Sequence, residues 1–526
     1  MKIHRTTKVR RPSLMVMAAA VALFQICATA DAQQPGAGGR QRQGRPEAVT
    51  PGPATPPADG AEARPNAPGA LPPDKTTSHT LRLGANELAF NATAGTIPLF
   101  NEQTGAVTVR IAYIAFKRTD GATGPRPVTF VWNGGPGYVS AWLNLGAIGP
   151  WRLDMAGAAT RPSASPIPGD NQESWLDFTD LVFIDPPGTG FGTIPGGDDA
   201  RKFLWSVNGD ISALASTVRR WLVDNGRMSS RKYLVGESYG GFRAPKVAHR
   251  LQTTEGVGID GIVMVSPVLD FGRFRSNGVL SHVARLPSYA ATAREKKAPV
   301  SPADLVDVEA YAQGEFLSDL MKGLKDRNAV AKLAEKVTGL TGLPRPIVER
   351  FAGRVPMNVF VREIHRAEGR IASMYDGSET GLDPNPQSQG SEADDQLLRG
   401  LQAPLTSTMV GIYQDKLQWM ASNSRYLFQN EAAGRQWDYG NRNAEATRDL
   451  AAAMALDSSM HVLVAHGLTD LVTPYFETKM VLDQMPPIGD PSRMKFQLYS
   501  GGHMFYSREA SRKAFAADAR EMMSPR

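Results

Sequence analysis

Tyr233-Leu234-Val235-Gly236-Glu237-Ser238-Tyr239-Gly240-Gly241 is the stretch on which the fold turns. It holds a Gly-x-Ser-x-Gly motif, a short apolar run leads into it, and helical periodicity from about Phe242 to Leu251 leads out. The motif alone is weak: in 526 residues with 51 glycines, chance supplies roughly 0.3 matches. Its context gives it weight. A serine set on a sharp strand–turn–helix has its hydroxyl lifted clear of the sheet, and glycines on either side let neighbouring backbone come close.

Outward from this turn, Val107 to Phe116 alternates and reads as a long half-buried strand. Pro127–Trp132, Leu181–Ile184, Gly261–Val265, His461–Ala465 and Lys495–Tyr499 are short apolar runs of strand length. Helical spacing fills about Val207–Val223 and Arg508–Met522. Strands alternating with helices imply an α/β fold with a mostly parallel central sheet covered on both faces. The folded chain is expected to begin near Thr80. The alternation stops between about 271 and 456, a helix-rich stretch with a polar loop near Asp376 to Asp395. It reads as a cap inserted over the C-terminal edge of the sheet, where ligands sit in open α/β folds. The catalytic unit is thus expected over 78–270 and 457–526.

The first 32 residues read differently. Lys2, Arg5, Lys8, Arg10 and Arg11 precede an apolar run from Leu14 to Ile26, followed by Ala28-Thr29-Ala30 and Ala30-Asp31-Ala32 as small-x-small sites. This is a signal-peptide layout, so the protein is expected to be exported, to the periplasm or the medium. The run is short for a bilayer span and no later stretch is long enough, so the mature chain is expected to lack one. Cys27 is the only cysteine and follows Ile26, where a lipobox needs a small residue. The mature protein therefore has no disulfide, no Cys-ligated zinc and no Cys nucleophile. Residues 33–77 are rich in Pro and Gly without apolar periodicity and read as a disordered tether.

Hydrophobic residues make up 42% and charged residues 21%, enough apolar matter for a core. The net charge of +6 hints at nucleic acid, but five cations against Asp31 put +4 of it in the first 32 residues, leaving +2. A near-neutral body without a basic stripe excludes nucleic-acid binding as the default reading.

Serine is a poor nucleophile without a base and a group to orient that base. In this architecture the chain order is Ser, then Asp or Glu, then His. Of the eight histidines only His503 follows the last strand, in Ser500-Gly501-Gly502-His503. Asp470 lies just past the run His461–Ala465. Asp483 is a rival acid on an expected helix; His466 is a rival base but precedes the acid, and a structural role suits it better. Asn133-Gly134-Gly135-Pro136-Gly137 follows a strand where the first oxyanion amide belongs, and Tyr239 supplies the second. A phosphate-loop reading of 133–137 fails for want of Gly-Lys-Ser/Thr, and Gly188-Thr189-Gly190-Phe191-Gly192 misses the dinucleotide spacing. No cofactor or metal is called for.

Trp132-Asn133-Gly134-Gly135-Pro136-Gly137, Phe183-Ile184-Asp185-Pro186-Pro187-Gly188-Thr189-Gly190-Phe191 and Gly236-Glu237-Ser238-Tyr239-Gly240-Gly241 together resemble the serine carboxypeptidases, the S10 peptidases, over about 80–270 and 457–523. The resemblance implies an α/β-hydrolase fold and a serine hydrolase that removes C-terminal residues from peptides with a free C-terminus. It places the triad on Ser238, Asp470 and His503, the oxyanion amides on Gly135 and Tyr239, and recognition of the terminal carboxylate on Asn133 and Glu237. The chain departs from the pattern in carrying Tyr138-Val139-Ser140 where Cys-Ser-Ser is usual, and Val131 where a tryptophan stands two places before the Asn. The disulfides of eukaryotic relatives are absent.

Glu237 has a reason of its own. An acid beside the nucleophile does nothing for acyl transfer, and it can receive a carboxylate only by sharing a proton, because two anions side by side repel. The other reading is a buried structural acid. A secreted esterase or acyltransferase on the same fold, and a non-catalytic peptide-binding module, remain the alternative functions. The sequence carries no signal of oligomeric state or side-chain preference.

Overall fold

The computed structural model describes residues 71–524 apart from 121–125, 156–160, 164–166, 273–277, 389–393, 420, 422–423 and 441–443. The expected signal peptide and most of the expected tether lie outside the described residues.

Nine strands form one sheet: β1 (Lys75–Leu83), β2 (Asn86–Phe100), β3 (Val107–Arg118), β4 (Val128–Trp132), β5 (Asp180–Ile184), β6 (Lys232–Glu237), β7 (Gly261–Val265), β8 (His461–Gly467) and β9 (Met494–Tyr499). Their spatial order is β1-β2-β3-β5-β4-β6-β7-β8-β9. The pairings from β5 through β9 are parallel, whereas β1, β2, β3 and β5 pair antiparallel. The central strands β4 to β7 are buried along their whole length, which is why they read as continuous apolar runs rather than alternating ones.

Alternation in β3 sorts its side chains into two layers. Val109, Ile111, Tyr113 and Ala115 join the core on one face; Ala112, Ile114 and Phe116 join the core on the other. The first layer is closed by helices α1 (Val207–Asp224) and α2 (Tyr239–Arg250), through Leu214, Val218, Phe242 and Val247 among others. The second is closed in part by the C-terminal helix Glu509–Met523, through Phe515, Ala519 and Met523. Each such large side chain, fully buried, contributes about 1.5–3 kcal/mol of transfer free energy.

The sheet starts earlier than expected. β1 begins at Lys75, five residues before Thr80, and Asp74 is already tied in, accepting from the Tyr113 hydroxyl at 2.7 Å and the Thr96 amide at 3.0 Å. Between β7 and β8 the chain is mainly helical, including α3 (Val279–Glu295), α4 (Arg327–Thr341) and α5 (Gln396–Gly411). Much of this stretch has its own apolar cluster, built on residues such as Leu286, Tyr289, Leu333 and Phe360. A short hairpin, Arg370–Ala372 with Thr380–Leu382, enters the stretch read as a polar loop near Asp376 to Asp395. No helix among the described residues is long and apolar enough to cross a membrane.

Candidate active site

β6 delivers Glu237 and Ser238 to the C-terminal end of the sheet, and α2 departs at Tyr239. Ser238 holds φ 60° and ψ −123°, a backbone setting that costs a non-glycine residue free energy and persists only where its surroundings enforce it. They do so through close approach. A Cβ on Gly236 would stand 1.9 Å from the Gly240 carbonyl oxygen, and one on Gly134 would stand 2.5 Å from the Tyr239 amide nitrogen. The Ser238 amide donates to the Val265 carbonyl at 2.8 Å, fastening the turn to the end of β7. Ser238 itself is half-buried, with part of its surface open to solvent.

His503 comes from the loop after β9 and Asp470 from the loop after β8. Nδ1 of His503 lies 2.7 Å from Oδ2 of Asp470, with both residues buried. The other carboxylate oxygen accepts from the Val472 and Thr473 amides at 2.9 and 3.0 Å. The Thr473 hydroxyl lies 2.8 Å from Asp470 Oδ2, 3.1 Å from His503 Nδ1 and 2.9 Å from the Ser266 carbonyl. The Ser266 hydroxyl donates to the His503 carbonyl at 2.8 Å. The end of β7 thus bonds both the serine turn and the histidine loop. Burial works against a charged His503 ring, but the charge and hydrogen bond of Asp470, with the charge of Glu237, outweigh it and hold the ring above its ordinary value.

The loop after β4 lies against the serine turn. Asn133 is buried; its Nδ2 donates to Glu237 Oε2 at 2.7 Å and its Oδ1 accepts from the Leu143 amide at 3.2 Å. The Arg243 guanidinium reaches back from α2 to the Asn133 carbonyl at 2.5 Å, pairs with Asp210 at 2.6 Å, and sits 4.8 Å from the Tyr239 ring centre. Gly135 is exposed and takes φ +106°. Tyr239 is the first residue of α2, so its amide is among those a helix leaves without an internal partner. The other segment with family character, Asp185-Pro186-Pro187-Gly188, acts as a brace: Asp185 accepts from the Ser140 amide at 2.9 Å, and Gly190 leaves it room, since a Cβ there would fall 2.0 Å from Asp185 Oδ2.

Glu237 is 3% exposed. Burial pushes its carboxyl up to about 7, against the charge of His503 and the hydrogen bonds from Tyr506 and Asn133. The Tyr506 bond was not anticipated: its hydroxyl donates to Glu237 Oε2 at 2.8 Å. The signal available in the sequence was a tyrosine three places beyond His503, since a buried tyrosine usually places its hydroxyl on a polar partner. Thr473 was missed for a similar reason. A cavity of about 330 Å³ touches the chain just after His503, at Met504 and Ser507, and is lined by charged residues of both signs, among them Arg152, Arg508, Asp376 and Glu379.

The rivals sit elsewhere in these interactions. Asp483 pairs with Lys479 at 2.9 Å near the surface. His466 is fully buried on β8, with neither ring nitrogen hydrogen-bonded among the described residues and its ring 5.9 Å from that of Phe496.

Residues 96–499 match the family model described as serine carboxypeptidase. The pheromone-processing carboxypeptidase KEX1 of Yarrowia lipolytica is 23% identical over 365 residues, 68% of this chain and 52% of that protein. Its namesake in Coccidioides posadasii is 25% identical over 264 residues, 48% of this chain and 34% of that protein. The chain thus spans about half, or less, of the length of these relatives. A solved prohormone-processing carboxypeptidase from Saccharomyces cerevisiae superposes with a TM-score of 0.53 at 16% identity, over 82% of this chain and 91% of that one. That likeness places the chain in the α/β-hydrolase fold.

Proposed function

The chain belongs to the serine carboxypeptidase family, and from that premise we propose that it is an exported serine carboxypeptidase acting on peptides with a free C-terminus. Ser238 Oγ attacks the carbonyl carbon of the last peptide bond, and His503 Nε2 takes its proton. Asp470 holds the histidine by Nδ1–H and stabilises the imidazolium that forms. The negative charge on the tetrahedral oxygen falls to the Gly135 and Tyr239 amides. His503 then passes its proton to the departing amine, the C-terminal residue leaves, and water deacylates the serine by the same route in reverse. The helical stretch 271–456 acts as the cap, and its Tyr375 supports the base: the Tyr375 carbonyl accepts from the His503 amide at 2.5 Å. Residues 1–32 direct export.

The observation that carries this reading is Glu237. A buried acid whose carboxyl is pushed up to about 7, bonded to Asn133 beside the serine turn, suits a carboxylate guest because the two acids can share one proton. An acyl-transfer site for neutral esters needs no such group. The test is to incubate one peptide as free acid and as C-terminal amide with the purified protein and read products by mass spectrometry. Loss of single C-terminal residues from the acid, with the amide far slower, supports the proposal. Equal rates on both, or turnover of simple esters alone, would replace it with the esterase reading. Failure to react with a fluorophosphonate would replace it with the binding-module reading.

A further inference from the structure

We propose that Tyr506 is a positioning residue for carboxylate recognition: by donating to Glu237 Oε2 it leaves Oε1 as the oxygen that carries the shared proton toward the substrate. This rests on the reading of Glu237 given above and adds what sets its orientation. Two donors converge on one oxygen, Asn133 Nδ2 at 2.7 Å and Tyr506 Oη at 2.8 Å. The amide nitrogen can only donate. The phenol could accept instead, but its own proton would then turn into buried surroundings without a partner, at the cost of an unmade hydrogen bond. A proton on Oε2 is therefore disfavoured and a proton on Oε1 favoured.

The ring that carries this hydroxyl is clamped. Tyr506 is fully buried; its ring lies so close to Gly146 that a Cβ there would meet it at 2.7 Å, and its centre is 5.8 Å from that of Phe505. Its carbonyl accepts from Arg512 Nη1 at 3.1 Å. A rigid donor fixes the carboxyl with little entropy left to lose on binding. Burial also pushes the phenol well above its ordinary range, so it stays a neutral donor at neutral and acidic pH. The groups that face Glu237 are Asn133, Tyr506, His503 and, through its charge, Asp470. Among these, Tyr506 and Asn133 touch the carboxyl, and only Tyr506 can be cut back to an isosteric apolar ring.

Tyr506→Phe keeps that ring and removes the donor. The expected result is a fall of about tenfold in kcat/KM for a free-acid peptide relative to its amide, carried by KM, the size one hydrogen bond to an acid supplies. The pH at which the free-acid preference disappears should also move upward, because Glu237 loses a bond that favours its anion. Tyr506→Met, which removes the hydroxyl with a different shape, should do the same. In a Glu237→Met background, which offers the phenol no acceptor, Tyr506→Phe should add little, since the two act as a unit. The inference is overturned if acid and amide fall by one factor with the pH profile unmoved, or if the loss persists in the Glu237→Met background. A wild-type protein with no preference for the free acid would instead overturn the proposed function, so the two failures are distinguishable.

Discussion

Asn133 Nδ2 donates to Glu237 Oε2 at 2.7 Å, joining the loop after β4 to the residue just ahead of the serine turn. Neither side chain is where it is by its own efforts. The Asn133 carbonyl is held by Arg243, whose charge is balanced by Asp210 in a pair with no exposed surface.

Arg243→Met should therefore cost about 3–5 kcal/mol of stability, because it leaves Asp210 buried without its partner. Arg243→Met with Asp210→Leu should recover most of that loss in a denaturant titration. The double variant still lacks the donor to the Asn133 carbonyl, so its kcat/KM for free-acid peptides should stay about tenfold low. A double variant that is both stable and fully active would show that Arg243 serves packing alone.

Ser238→Ala should lower turnover by at least about a thousandfold and abolish fluorophosphonate labelling, with the melting temperature little changed. Activity near wild type in a clean preparation would remove Ser238 from the mechanism.

The two neighbours of His503 Nδ1 should separate in size of effect. Asp470→Asn should cost roughly 10⁴ in kcat, since the wrong tautomer is then favoured. Thr473→Val removes the hydroxyl that contacts Asp470, His503 and the Ser266 carbonyl but keeps the carboxylate, and should cost about tenfold. Equal losses would mean that Thr473 does more than support Asp470.

His466 offers a stability test. Burial, and to a lesser degree the nearby charge of His503, pushes its imidazole down to about 3, so the folded ring stays neutral while an unfolded one takes up a proton below its ordinary value near 6.5. The unfolded state then binds the extra proton, and stability falls as pH drops from about 6.5 toward 3, by at most about 1.4 kcal/mol per pH unit. His466→Met should flatten that slope while leaving turnover of esters within about threefold, on the usual tolerance for volume-conserving swaps. An unchanged slope in acid unfolding would contradict the assignment of a buried neutral ring.

What could be read in advance follows from physics of different range. β4, β5, β6 and β7 are covered on both faces, so their apolar runs announce them. β2 was not legible: its inward positions include Ala92 and Ala94, and Gly95 and Pro98 interrupt a segment that tertiary pairing nonetheless holds as a strand. β1 is the sheet edge, mostly polar, and closes on β2 rather than on any pattern of its own. Asp470 and His503, 2.7 Å apart at Oδ2 and Nδ1, were legible as a pair because chain order and strand ends restrict them. Tyr506 and Thr473 were not, because each finds its partner only after separate loops converge. Tyr506 lies in a short 3₁₀ turn, Phe505–Ser507, whose facing no sequence period sets.

If Glu237 receives a carboxylate by sharing a proton, kcat/KM against pH for one peptide as acid and as amide will show it most directly. Glu237 is protonated below about 7 and ionised above it. The free acid should lose efficiency as pH rises through that value, mainly in KM, at up to about tenfold per pH unit for one proton. The amide carries no terminal charge and should follow His503, which must be neutral to act as base and is held above its ordinary value, so its rate should rise toward higher pH. The acid-to-amide ratio should be largest on the acidic side and fall above about pH 7. Superimposable profiles would contradict it and leave Glu237 a structural acid.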